Sequence, residues 1–103
     1  MVDAFDGRIT ELTAAFTKRL AAELDMLEKF GQELENSAAD AAMFDRVCHV
    51  VHRLAGSSRV FGFGELTAPA QEVETLIANK AAPERIAEGT RQLADDIRRS
   101  ISH

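Results

Sequence analysis

Two of the three histidines in this 103-residue chain, His49 and His52, fall in one short stretch. They stand beside the single cysteine, Cys48, and just ahead of Gly56-Ser57-Ser58. Imidazole, thiol and hydroxyl groups serve as nucleophiles or metal ligands, so this stretch is where chemistry is sought first. A metal site could draw on His49 and His52 (i,i+3), Cys48 and His52 (i,i+4) and Asp45 one turn before His49. His49 and Cys48 diverge around His52, however, and a tetrahedral shell would need ligands from elsewhere, so no metal is expected. A hydrolase would need an elbow and an oxyanion hole around Ser57 or Ser58, and no strand-turn-helix pattern accompanies them.

The orientation of His52 separates the remaining readings. Apolar residues recur in threes and fours at Phe44, Val47, Val51, Leu54 and Phe61, with Ser58 in phase, which predicts a helix. At about 100° per residue, His52 lies roughly 135° from the centre of that stripe and faces outward. Cys48, Ala55, Gly56 and Arg59 share its side, and His49 lies farther round, so a core histidine is disfavoured. A merely solvated histidine does not account for Gly56. Glycine in a helix interior costs about 1 kcal/mol relative to alanine, and here it removes bulk one turn from the imidazole. That is the layout of an exposed nucleophile that reaches into another molecule's site.

The elements that must hold this stretch are legible from the same periodicity. Ile9, Leu12, Phe16, Leu20, Leu24, Leu27, Phe30 and Leu34 draw one stripe along a first helix, with Asp3 or Asp6 as its cap. Asn36 to Asp40 forms a connection in which Ser37 and Asp40 are spaced as a capping box for the second helix, which ends at Phe61-Gly62-Phe63-Gly64. A third helix is predicted from Gly64 or Glu65 to Asn79, kinked or tightly started at Pro69, with Leu66, Ala70, Val73 and Leu76 or Ile77 inward. Pro83 opens a fourth, whose stripe is Ile86, Thr90, Leu93 and Ile97 and whose end carries Arg98 and Arg99. Four amphipathic helices with short connections predict an all-α, antiparallel up-down-up-down four-helix bundle, a single domain over residues 1–103.

Composition limits the partners. A formal charge of −5 argues against nucleic acid and anionic membranes. One cysteine fits a reducing compartment, and no signal segment or membrane span is visible, so a cytoplasmic monomer is expected. Met1 and the short termini suggest a free-standing protein.

His52-Arg53-Leu54-Ala55-Gly56-Ser57-Ser58, followed by Phe61-Gly62, Leu66 and Glu74, resembles the histidine phosphotransfer (HPt) domain family, including the phosphotransfer domains of chemotaxis-type kinases. These residues cover roughly a quarter of the chain, and the four-helix reading extends the resemblance to the rest. The resemblance implies that His52 is the phosphorylated histidine of a two-component phosphorelay and that Gly56 clears a docking surface shared with Cys48, His49 and Ala55. It implies response-regulator receiver domains and a sensor or hybrid histidine kinase as partners. It implies no catalytic machinery or cofactor in this chain, with the aspartate and Mg²⁺ supplied by the receiver. Glu74 matches an acidic position that accepts the imidazole N–H, an arrangement that fixes the tautomer and leaves the other nitrogen as nucleophile. The family commonly has lysine where this chain has Ala55; Arg59, or else Arg53, is the cation expected to replace it. Ala55 also keeps open a different class, a helical adaptor that docks a partner through the same face without being phosphorylated. A phosphohistidine phosphatase or other enzyme lacks a second catalytic group.

Overall fold

A computed structural model describes residues 4–102, with side chains from Thr10 onward. It consists of α1 (Ala4–Glu35), α2 (Ala41–Val60), a 3-10 turn (Gly64–Leu66), α3 (Thr67–Ala78) and α4 (Pro83–Ile101). The helices form an antiparallel four-helix bundle, as their periodicity and short connections predict. Pairs across each seam show the alternation. Along α1 and α2, Phe16 stacks on Phe61 at 4.7 Å while Phe30 meets Phe44 edge-on at 5.3 Å, so the two helices run in opposite directions. In the same sense Ala55 and His52 of α2 meet Thr67 and Glu74, and Leu76 and Glu65 meet Gly89 and Ser100.

The core is built by the predicted stripes: Leu20, Leu27, Phe30, Leu54, Leu93 and Ile97 are all at most 1% exposed. Burial of such side chains is worth about 1.5–3 kcal/mol each and gathers α1, α2 and α4 around one core, to which α3 adds Val73 and Ala70. The α1 stripe does not extend inward along its whole length. Leu12 is 52% exposed and Phe16 is the first buried side chain in the described part of α1; Ile9 lies outside the described side chains. At about 1.5 Å per residue, the 32 residues of α1 make it longer than α4 and α2, of 19 and 20 residues.

One capping expectation changes, and the other falls partly outside the described residues. Asp6 lies inside α1, and Asp3 is outside the described residues. The N-cap of α2 is Asp40 alone, whose carboxylate accepts from the Met43 N–H at 2.8 Å, whereas Ser37 turns the chain at φ 55°. Pro69 is the third residue of α3, where the missing N–H is one that a helix start leaves unpaired anyway, and the 3-10 turn supplies the tight entry. Asn79 ends α3 and Pro83 begins α4 as expected.

Candidate functional site

Helix α2 is wedged between two neighbours. It buries Val47, Val51, Leu54 and Ser58, which leaves His52 on the outer surface with 75% of its side chain exposed. Helix α3 buries Ala70, Val73 and Leu76 and so turns Glu74, beside Val73, toward the flank of α2. The two side chains meet: His52 Nδ1 and Glu74 Oε2 are 2.7 Å apart, with the carboxylate 30% exposed. In the neutral ring this contact makes Nδ1 the N–H donor and leaves Nε2 with a free lone pair. Farther along the seam the Thr67 hydroxyl donates to the Ala55 carbonyl at 3.2 Å, tying the start of α3 to the turn that follows His52.

A depression of about 280 Å³ opens beside the imidazole, lined by His52, Ala55, Gly56, Arg59, Gln71 and Glu74. The structure therefore brings together His52, Gly56, Arg59 and Glu74, and adds Gln71, which the sequence reading missed. Gln71 precedes Glu74 by three residues, one helical turn on the same face, so the spacing itself was the available signal. At Gly56 an added Cβ would meet no atom of the described residues within 4 Å, so nothing among them requires a glycine there. Arg59 is exposed and has no carboxylate partner among the described residues.

Two expected members are placed differently. Ala55 is only 6% exposed and forms the floor of the depression under α3, so it is not part of an outward docking face. Arg53 turns the other way, with Nη2 3.7 Å from Glu23 Oε1 of α1, and is absent from the depression. The cause is shared: α2 packs against both α1 and α3, so residues to either side of His52 are drawn into those seams.

The other reactive groups stand apart. Cys48 is half-buried, and its thiol is pushed up by burial and then by the Glu74 and Asp45 carboxylates, which keeps it protonated. His49 is exposed one turn from His52. Ser58 is fully buried with its hydroxyl unpartnered among the described residues, so it is turned away from the imidazole face. Among the described residues no group of three or more His, Cys, Asp or Glu side chains could hold a metal ion, and no helix is long and apolar enough to cross a membrane.

The Hpt domain family model matches residues 8–102, and the chain belongs to that family. Its members serve in histidine phosphotransfer in phosphorelays, as phosphocarriers without catalytic activity of their own, and partner with kinases and receiver domains. No curated protein and no solved structure matches the chain.

Proposed function

We propose that His52 is the phosphoryl-carrying residue of this chain, taking the group from the aspartyl phosphate of a receiver domain, or from a kinase, and passing it to another receiver. The observation that carries this reading is the His52–Glu74 contact at 2.7 Å on an imidazole that is three-quarters exposed. One nitrogen is fixed by a carboxylate while the other is presented to solvent. In the transfer, the Nε2 lone pair attacks phosphorus in line, the P–O bond to the aspartate breaks, and the aspartate leaves as a carboxylate. The ring keeps its Nδ1 proton throughout, and the positive charge that develops on the imidazole is held by Glu74.

Most of the acceleration in such a step comes from alignment and charge stabilisation, and both have candidates here. The bundle fixes the imidazole on a rigid helix. Arg59, exposed and without a carboxylate partner among the described residues, stands about two turns along the same face and supplies the cation for the phosphoryl oxygens that Ala55 cannot. Gly56 leaves room for the partner's backbone. Mg²⁺ belongs to the receiver in this scheme, and the carrier works as a monomer in the cytoplasm.

The test is phosphate exchange between this protein and the receiver domains of one genome, run with the wild type and His52→Gln. Acid-labile label on the wild type, absent from His52→Gln, is the expected result. A wild type that takes no label from any receiver or kinase, while His52→Gln binds the same partner equally well, would establish an adaptor instead. Arg59→Ala is expected to slow transfer about tenfold or more, the value of a charge-assisted contact of about 1.5–3 kcal/mol, and an unchanged rate removes Arg59 from the scheme.

A further inference from the structure

Helix α2 differs in charge from everything around it. It holds Arg46, Arg53 and Arg59 against one carboxylate, Asp45, a formal +2 within a chain of −5, which leaves −7 on the remainder. Helix α3, on one side, carries Glu72 and Glu74 and no cation. On the other side, α1 meets α2 at Glu23, which is 5% exposed and lies between Arg19 at 3.4 Å and Arg53 at 3.7 Å. One buried carboxylate thus lies within ion-pair distance of two guanidinium groups, hydrogen-bonded to neither, whose side chains remain 41% and 59% exposed, and Arg19 also lies over the Phe16 ring at 5.0 Å. Arg46 continues the strip two turns before Arg53, exposed and with no ion pair among the described residues, and His49 lies between them.

Burying a carboxylate for one surface arginine is a poor source of stability, because its desolvation offsets the attraction. A carboxylate within reach of two exposed guanidinium groups draws both toward the seam before any partner arrives. Less side-chain freedom is then lost on contact. What would meet them follows from the proposed transfer: a site that holds Mg²⁺ and a phosphorylatable aspartate is rich in carboxylates, and docking it over His52 brings its rim onto α2.

We propose that Arg19, Arg46 and Arg53 form a cationic docking strip along the α1–α2 seam, which receives an acidic rim of the receiver domain. This rests on the carrier reading for the identity of the partner, but it is a statement about binding and is measured without transfer. Receiver domains of one genome are titrated against the His52→Gln protein, and the tightest binder is kept. Its affinity is then measured for that protein, and for the same protein carrying Arg46→Glu or Arg85→Glu, at about 0.03 M and about 0.5 M salt. Arg85 is an exposed cation on α4, which does not pack on α2, so its reversal makes the same change in net charge on another face.

The expected result is binding weakened about tenfold or more by Arg46→Glu at low salt, narrowing to about threefold or less at high salt, with Arg85→Glu within about twofold throughout. Equal effects of the two reversals, or no receiver that binds, overturn the strip. If the strip behaves as expected while His52 of the wild type never takes label, the carrier reading fails and the docking surface stands. If label transfers and Arg46→Glu binds as the parent does, the strip fails and the carrier reading stands.

Discussion

His52 exposes 75% of its side chain, yet one of its nitrogens is already committed to Glu74. An imidazole free to rotate and tautomerise would present the wrong nitrogen, or a proton, to an incoming phosphorus for part of the time. Glu74→Ala should therefore slow phosphate exchange by about 10–100-fold, the usual cost of losing an orienting partner, while leaving receiver affinity nearly unchanged. Glu74→Gln, whose amide oxygen can still accept from Nδ1–H, should recover part of that loss. Rates equal to wild type in both variants would leave Glu74 as an ordinary surface carboxylate. The outward aim of His52 was legible from the period of α2 alone, because its stripe is long and regular. Glu74 and Arg59 were reached through a resemblance and a spacing, whereas Gln71 had no chemistry of its own to draw attention. Ala55 was expected to face outward because a helical wheel with a single buried face describes a helix at an edge, and α2 is flanked on both sides; Arg53, offered only as a second cation in place of the missing lysine, lies beside Glu23 in the α1 seam instead.

Between elements, the glycines and the seam carboxylate separate stability from function. Gly56 and Gly31 both lie in helix interiors where an added Cβ meets nothing within 4 Å. Alanine at either should stabilise the fold by about 0.5–1 kcal/mol, read as a higher urea midpoint. Only Gly56→Ala should also slow transfer, since only it adds bulk beside the imidazole. Equal transfer by the two variants would mean that the glycine clears nothing. At the α1–α2 seam, burial raises the Glu23 carboxyl above its ordinary value of 4.5, against the opposing pull of Arg19 and Arg53. The native state then holds a proton that the unfolded chain has already lost, so this group's contribution falls as pH rises from about 4.5 through the native value. Glu23→Gln carries no such penalty. Its stability relative to wild type should grow over that rise and then level off, and denaturant titrations across the range that show the reverse trend would contradict the assignment. The clearance at Gly56 is legible in the sequence, whereas the Glu23 effect is not, because nothing in the spacing of charges along α1 marks Glu23 as the buried one.

Over the whole molecule, the bundle is drawn out by one element. Its dimensions are 54 × 22 × 21 Å and its radius of gyration is 14.8 Å, against about 13 Å for a compact chain of this size. The difference reflects the length of α1, 32 residues, on whose apolar stripe Leu12 is already 52% exposed. Periodicity reports which face a helix would bury, and neighbouring elements decide where burial stops. Leu12→Ala should accordingly cost about 0.5 kcal/mol or less, and Leu54→Ala, at 0% exposure in the centre, about 2–5 kcal/mol by urea denaturation. A large loss at Leu12 would mean that the first turns of α1 are covered in solution.

The proposed transfer runs through one nitrogen of one side chain, Nε2 of His52. Heteronuclear NMR of the protein, phosphorylated by the receiver or kinase that labels it, locates the phosphoryl group directly. Phosphorus coupled to Nε2 of His52, with Nδ1 still protonated, is the result that the Glu74 contact predicts. A phosphoryl group on Nδ1, on another residue, or persisting in His52→Gln would contradict it.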